Sequence, residues 1–147
     1  MGELPGSVLF ACSMNAIRSP MAETIMKSLF GRRVYVDSVG VRAGEPDGFA
    51  ISVLDEVGLD MSRHDPKTFG DLEDDYFDLV ISLSPEAHHR AIELTRQNAC
   101  DVEYWPMPDA SLAGGNREQR LEAYRELRER IMDRILDRFP QPRGPVL

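Results

Sequence analysis

Runs of apolar residues alternate along the chain with stretches in which apolar residues recur every three or four positions. The short apolar runs predict four β-strands, at residues 7–11, 34–36, 78–82 and 102–105. The periodic stretches predict four helices, at residues 19–30, 49–57, 85–96 and 117–139. Because strands that alternate with helices pair in parallel, this pattern predicts a parallel sheet with helices on both faces.

Length and composition fit a single globular domain. The chain has 147 residues, of which 42% are hydrophobic, enough for one core. No repeat, linker or shift in composition divides it, so we expect one domain over residues 1–147. The proline-rich segment 140–145 cannot continue the last helix and is expected to be loose.

The charge balance limits the classes of partner. Lys and Arg number 17 against 25 Asp and Glu, which gives a net charge of −8. Such a molecule repels the phosphate backbone, so no nucleic-acid partner is expected. No apolar run approaches the ~20 residues of a membrane span, and the first residues lack the features of a secretion signal. We therefore expect no membrane partner and a cytoplasmic location; the pattern indicates no oligomeric state.

The two cysteines, Cys12 and Cys100, are too few for a disulfide scaffold and lack the paired spacing of a zinc site. The acidic stretch 71–78 is most simply a solvated loop before a buried strand, because no further carboxylates converge on it. We therefore expect no metal and no other cofactor. Cys100 falls between the third helix and the fourth strand.

The segment from Cys12 to Pro20 joins the first strand to the first helix. Backbone N–H groups in such a loop, together with the helix dipole, form a cradle for a tetrahedral oxyanion. Amides, Arg18 and the Ser19 hydroxyl would stabilise a Cys12 thiolate there. The planar guanidinium of Arg18 can hold two phosphate oxygens at once. One loop therefore supplies both a nucleophile and an oxyanion clamp.

This loop resembles that of the low-molecular-weight protein tyrosine phosphatase family, which includes related arsenate reductases and whose loop has the pattern Cys-x-Gly-Asn-x-Cys-Arg-Ser-Pro. The matching positions are Cys12, Asn15, Arg18, Ser19 and Pro20. Segments 37–40 and 58–64 are also similar to family segments, and the resemblance runs from about Ser7 to Phe139. It implies an α/β three-layer sandwich with a four-stranded parallel sheet in the order 2-1-3-4 and the phosphatase loop between strand 1 and helix 1.

The resemblance also implies roles for particular residues. Cys12 and Arg18 would be catalytic, and Asp109, which follows the fourth strand, would be the general acid. The phosphate-binding loop would comprise Ser13, Met14, Asn15, Ala16, Ile17 and Ser19. Together with Asn15 and Ser19, Ser38 and His64 would form a hydrogen-bond network that supports the loop.

The chain departs from the family pattern at several points. Met14 replaces a glycine at a position expected to need unusual backbone dihedrals, and Ile17 replaces the second loop cysteine. Ala and Ser follow Asp109 in place of a proline and an aromatic residue, and segment 41–43 lacks the aromatic of the other pocket wall. These departures predict weak selection for an aryl group.

The expected function is a cysteine-dependent phosphatase that hydrolyses phosphotyrosine or small aryl phosphate monoesters through a phosphocysteine. Its partner would be a phosphorylated protein or a small phosphate ester. One alternative is an arsenate reductase that uses the same loop with an external thiol. Another is a non-catalytic oxyanion-binding regulatory module.

Overall fold

Four parallel β-strands form the centre of the protein. The computed structural model describes residues 4–73, 76–96 and 98–140. Its strands are β1 (Ser7–Cys12), β2 (Tyr35–Gly40), β3 (Leu79–Ser82) and β4 (Asp101–Tyr104). They lie in the order β2-β1-β3-β4, with every neighbouring pair parallel, which confirms the predicted strand order.

Helices cover both faces of this sheet. They are α1 (Arg18–Phe30), α2 (Gly48–Asp55), α3 (Pro85–Leu94) and α4 (Arg117–Arg138). Two short 3₁₀ helices lie at Phe69–Asp71 and Ala110–Leu112. Buried residues of α1, α2 and α4 form the larger core on one face, and buried residues of α3 contribute to a smaller core on the other. The three-layer arrangement is therefore as predicted.

The central strand β1 distributes its side chains between the two cores. Alternate residues of a strand point to opposite faces, so Val8, Phe10 and Cys12 belong to the larger core while Leu9 and Ala11 belong to the smaller one. Cys12 is the last residue of this strand. Its thiol consequently lies at the carboxyl edge of the sheet, on the side covered by α1.

Several predicted boundaries are corrected, and the second helix, expected to run to residue 57, ends at Asp55. The second strand continues to Gly40 instead of ending at residue 36, because residues 37–40 pair with the last four residues of β1. α1 begins at Arg18, and Ser19 lies in its first turn, where its hydroxyl contacts Cys12 instead of capping the helix. α3 ends at Leu94, before the predicted residue 96. Residues 141–145 of the predicted loose tail, and residues 74–75 of the acidic stretch, lie outside the described residues.

Ion pairs connect α2 to α4. Arg125 donates from Nε and Nη2 to the two carboxylate oxygens of Glu56, at 3.0 and 2.8 Å, and Arg128 Nη1 donates to Glu56 Oε1 at 2.8 Å. The hydrogen bonds from these guanidinium groups lower the pKa of Glu56 from 4.5 to about 2. Glu56 follows the last turn of α2, so it joins the end of this helix to the middle of α4.

We expect Glu56→Gln to lower the melting temperature at neutral pH by about 1–3 °C, a small effect because the carboxylate is partly solvated. A carboxyl whose pKa is lower in the folded protein contributes stability above pH 4.5 and loses it as the pH falls from 4.5 towards 2. Thermal unfolding across this interval should therefore show the variant and the parent protein converging. A constant difference down to about pH 2 would contradict the assignment.

Candidate active site

The loop between β1 and α1 is held by the segment that follows β2. The backbone N–H groups of Val41, Arg42 and Gly44 donate to the carbonyl oxygens of residues 12–14, at 3.0, 2.8 and 2.8 Å. The chain then turns at Asn15, whose φ of 52° is the one positive value outside glycine in the described part of the chain. Asparagine tolerates this left-handed conformation better than most residues, which accounts for its place at the turn.

Met14 does not adopt the unusual backbone dihedrals that were expected because a glycine is usual at this position. Its φ is not positive, and the left-handed residue is the next one along the chain. The Met14 side chain is 42% exposed and lies against Gly44, where an added Cβ would be 3.1 Å from the Met14 Cβ. The methionine therefore adds an apolar wall to the loop without backbone strain.

The Cys12 sulfur lies beneath the first turn of α1. It is 2.9 Å from the Ser19 hydroxyl oxygen, and the Ser19 N–H donates to it at 3.4 Å. The residue is 1% exposed. A hydroxyl and an amide N–H, both at a helix N-terminus, can thus hydrogen-bond a thiolate at this position.

The side chain of Asn15 is the centre of the network behind the loop. Its Nδ2 donates to the hydroxyl oxygens of Ser19 and Ser38, both at 2.9 Å. Its Oδ1 accepts from the Lys67 N–H at 2.9 Å, and its backbone carbonyl lies 2.8 Å from His64 Nε2. The structure therefore brings together the four residues that the resemblance placed in a supporting network. It adds the backbone of Lys67 to them.

Glu23 is a member of this network that the sequence analysis missed. Ser38 Oγ donates to Glu23 Oε1, and Lys27 pairs with the other carboxylate oxygen. The Glu23 side chain is only 12% exposed, although it is charged. Glu23 follows Ser19 by four residues, so both lie on one face of α1, and this spacing could have indicated that Glu23 belongs to the network.

Gly40, the last residue of β2, touches the back of the loop. A Cβ at this position would lie 2.6 Å from the Asn15 nitrogen and 2.8 Å from the Met14 carbonyl carbon. Both are backbone atoms, so neither can rotate away. We expect Gly40→Ala to displace the loop and to weaken phosphate binding by roughly tenfold or more, because an oxyanion cradle depends on the positions of its amides.

Isothermal titration with inorganic phosphate measures this effect. Gly48→Ala is the matched control, since an added Cβ at Gly48 has no neighbouring atom within 4 Å. The control should bind phosphate as the parent does. Unchanged binding by a folded Gly40→Ala protein would show that the loop adjusts.

A pocket of about 190 Å³ opens above Cys12. It is lined by Cys12, Met14, Ala16, Ile17, Arg18, Gly44, Glu45, Asp47, Asp109 and Ser111. The structure thus brings the three predicted catalytic residues to one cavity. Asn15, Ser19, Ser38 and His64 lie outside its lining, and Ser13 Oγ donates to Ser84 Oγ at 3.1 Å. A larger groove of about 760 Å³ lies beside α4, and none of the described residues that line it carries a thiol or a hydroxyl group.

Arg18 and Asp109 enter the pocket from different elements. Arg18 is the first residue of α1, and its Nη1 donates to the Met107 carbonyl at 3.1 Å. Asp109 precedes the second 3₁₀ helix, and its Oδ1 accepts from the Ser111 N–H and hydroxyl at 3.0 and 2.6 Å. A cation and a carboxyl therefore lie in the same cavity as a thiol.

Three carboxylates, those of Glu45, Asp47 and Asp109, belong to the lining of this pocket, and none of the described residues that line it is aromatic. Asp47 caps α2 through Ala50 N–H at 3.0 Å and accepts from the Tyr124 hydroxyl at 3.0 Å. Burial raises the pKa of Tyr124, and its bond to Asp47 adds to the increase. The Tyr124 hydroxyl therefore holds one lining residue of the pocket, Asp47, while the Tyr124 ring belongs to the core.

Cys100 lies at the opposite end of the sheet from Cys12. Asp101 of β4 pairs with Leu79 of β3, which in turn pairs with Val8 of β1. Cys100 precedes Asp101, so it lies at the same height in the sheet as the first residue of β1. Five residues of strand separate that level from Cys12, about 17 Å at ~3.3 Å per residue. A disulfide needs Cα atoms within about 7 Å. The two cysteines cannot pair in this fold.

Within residues 4–73, 76–96 and 98–140, no group of three or more His, Cys, Asp or Glu side chains is arranged to hold a metal ion. No helix in the described part of the chain is long and apolar enough to cross a membrane.

Comparison with known proteins relates this arrangement to enzymes. The family model for low molecular weight phosphotyrosine protein phosphatase matches residues 7–134. A glutaredoxin arsenate reductase of Synechocystis is 30% identical over 128 residues, which are 87% of this chain and 92% of the relative. An arsenate reductase of Bacillus subtilis is 28% identical over 131 residues, 87% of this chain and 91% of the relative.

Solved structures show the same relation. An arsenate reductase in a phosphate-binding state superposes with a TM-score of 0.68 at 28% identity, over 89% of this chain and 94% of that one. The tyrosine phosphatase AmsI of Erwinia amylovora superposes with a TM-score of 0.70 over 90% of this chain and 89% of that one. Its identity of 17% supports the fold alone.

Proposed function

The chain belongs to the low molecular weight phosphotyrosine protein phosphatase family, and we propose that within it the protein is an arsenate reductase that takes its electrons from an external thiol. The family is one of enzymes with a phosphatase-type fold, and it contains both phosphatases and arsenate reductases. The relatives compared by sequence are named arsenate reductases. This proposal reverses the order of the two enzymatic hypotheses drawn from the sequence.

The observation that carries the proposal is the small pocket above Cys12, in which no residue of the described chain supplies an aromatic wall. A volume of about 190 Å³ suits a bare tetrahedral oxyanion with a few additional atoms. A phosphotyrosine ring gains much of its binding energy from aromatic contacts, and the lining offers none. Arsenate has the shape and charge of phosphate and needs no such wall.

In the first step, the Cys12 thiolate attacks arsenic. An S–As bond forms as an As–O bond breaks, and Asp109 gives a proton to the departing oxygen so that it leaves as water. Arg18 and the loop amides hold the remaining arsenate oxygens. The product is an arsenate ester of Cys12, with arsenic still pentavalent.

In the second step, an external thiolate attacks the Cys12 sulfur. The electron pair of the S–As bond moves to arsenic, which leaves as trivalent arsenite, and a mixed disulfide remains on Cys12. A second external thiol then reduces this disulfide and restores the Cys12 thiolate. Two thiols thus supply the two electrons that the reduction of one arsenate requires.

The position of Cys100 supports the external source. Cys100 lies at the far end of the sheet from the pocket, and it is the other cysteine of the chain. Burial raises the pKa of the Cys100 thiol, which further reduces its availability as a thiolate. No second thiol of this chain can therefore reach the adduct on Cys12.

Phosphate monoester hydrolysis is the second candidate, because Asp109 shares the pocket with Cys12. Such a carboxyl can protonate an ester oxygen and then activate water against a phosphocysteine. Small esters fit the pocket better than phosphotyrosine peptides do, for the same lack of an aromatic wall. A protein that only binds an oxyanion needs neither hydrogen bonds that stabilise a Cys12 thiolate nor a carboxyl group beside it, and this chain has both.

The test compares two reactions of the full chain. Arsenite formation from arsenate is measured with reduced glutathione or dithiothreitol, and para-nitrophenyl phosphate hydrolysis is measured without added metal. The Cys12→Ser protein provides the blank for uncatalysed reduction by thiols. We expect arsenite formation that depends on both thiol and Cys12. Ester hydrolysis with no arsenite above the blank would reject the proposal in favour of the phosphatase.

A further inference from the structure

Asp109 is held by a single neighbour. The N–H of Ser111 donates to Asp109 Oδ1 at 3.0 Å, and the Ser111 hydroxyl donates to the same oxygen at 2.6 Å. The other carboxyl oxygen, Oδ2, has no hydrogen-bond partner among the residues that the structure describes. Both residues line the pocket with Cys12. The two oxygens of the proposed proton donor are therefore unequal.

This inequality decides where a proton can reside. A carboxyl oxygen has two lone-pair positions, and the two Ser111 donors occupy those of Oδ1. A proton on Asp109 consequently belongs on Oδ2, the oxygen available to a ligand. Two bonds to one oxygen also restrain rotation of the carboxyl group, a torsion that is otherwise broad.

Ser111 is also one of the points at which the chain departs from the family pattern. In the family pattern, a proline and an aromatic residue follow the general acid. In this chain, Ala110 and Ser111 follow Asp109. Proline fixes the backbone after the acid through its ring. Here the backbone lacks that restraint, and a side-chain hydroxyl bound to the carboxylate can supply a restraint of its own.

We infer that Ser111 is a positioning residue that holds the Asp109 carboxyl with its transferable proton on Oδ2, towards the leaving oxygen. The inference rests on the proposed function, in which Asp109 is the proton donor. After the transfer, the new carboxylate keeps both Ser111 donors, and hydrogen bonds to a charged acceptor are stronger than those to a neutral one. Ser111 thus holds the carboxyl group in both of its protonation states.

The chain contains a matched control for this geometry. Asp60 Oδ1 accepts from the Ser62 N–H at 2.8 Å and from the Ser62 hydroxyl at 2.5 Å. The hydroxyl bond from Ser62 lowers the pKa of Asp60, followed by a smaller contribution from the Ser62 N–H. This pair is exposed and does not line the pocket of Cys12. Ser62→Ala therefore removes the same bond away from the chemistry.

The experiment compares Ser111→Ala, Ser111→Thr and Ser62→Ala in arsenate turnover at saturating dithiothreitol and in hydrolysis of phenyl and para-nitrophenyl phosphate. We expect Ser111→Ala to lower kcat for arsenate and phenyl phosphate about tenfold, with a change of less than about threefold for para-nitrophenyl phosphate, whose leaving group needs little protonation. The inhibition constant of phosphate should not change. Ser111→Thr should restore the rate, and Ser62→Ala should match the parent.

A parallel Asp109→Asn protein distinguishes the positioning role of Ser111 from the proton-donor role of Asp109. If Asp109→Asn is strongly impaired and Ser111→Ala is not, the positioning role is wrong and the proposed function stands. If Asp109→Asn itself has the parent's rates, the proton-donor step of the proposed function is wrong. An equal loss by Ser111→Ala on both aryl esters, or weaker phosphate binding, would indicate a structural role and overturn the inference.

Discussion

Cys12→Ser is expected to abolish turnover while leaving oxyanion binding intact. A serine hydroxyl is far less ionised than a thiol at neutral pH and cannot supply the sulfur that becomes a mixed disulfide. We expect a loss of at least ~10³-fold in kcat for phosphate esters, by analogy with removal of other nucleophiles, and no arsenite formation above the uncatalysed rate. Phosphate should still bind, because Arg18 and the backbone of the loop are unchanged.

The measurement pairs activity with phosphate titration on the same preparation. Gly40→Ala serves as the comparison, because it retains the thiol and displaces the loop. The two variants should therefore fail in different ways: Cys12→Ser binds without turnover, whereas Gly40→Ala loses binding. Residual thiol-dependent reduction by Cys12→Ser beyond a small fraction of the parent rate would exclude covalent catalysis at this residue.

The fold could be predicted because local pattern and topology agree. Apolar runs and helical periodicity identify all four strands and all four helices, and the resemblance supplied their order in the sheet. The errors fell where tertiary contacts decide the boundary. Asp37 and Ser38 indicated the end of a strand, but the backbone of residues 37–40 pairs with β1, and the Ser38 side chain supports the loop.

The candidate site was predictable from the loop motif and, for Asp109, Ser38 and His64, from the family resemblance. Cys12 and Arg18 follow from one contiguous segment, whereas Gly40 matters through two backbone atoms that lie 25 or more residues earlier in the chain. The bond from Ser38 to Glu23 likewise joins two elements whose approach depends on packing. The position of Cys100 along the sheet can be assigned only from the register of β1, β3 and β4. Apart from the spacing of Glu23 and Ser19 on one face of α1, these contacts have no signature in local sequence.

Hydrogen peroxide is expected to inactivate the protein in a way that thiols added later do not reverse. Peroxide converts a thiolate to a sulfenic acid, and more peroxide carries it to sulfinic and sulfonic acids. A neighbouring thiol can intercept the sulfenic acid as a disulfide, but Ile17 replaces the loop cysteine that would do so, and Cys100 lies at the opposite end of the sheet. Bound phosphate should protect by filling the pocket.

Intact mass and recovered activity together test this outcome. The parent should gain two or three oxygen atoms and recover poorly with dithiothreitol, and Cys100→Ala should behave in the same way. Ile17→Cys, which places a thiol in the lining of the same pocket, should instead lose two hydrogens and recover. Loss of two hydrogens with full recovery in the parent would contradict the separation of the two cysteines.

The order of addition connects this prediction to the proposed reaction. An external thiol that can reach the Cys12 sulfur to release arsenite can also reach a sulfenic acid on the same atom. A thiol present before peroxide should therefore trap Cys12 as a mixed disulfide and preserve activity, while the same thiol added afterwards should not. If prior thiol gives no protection, external thiols do not reach this sulfur, and the second step of the proposed arsenate reduction fails with it.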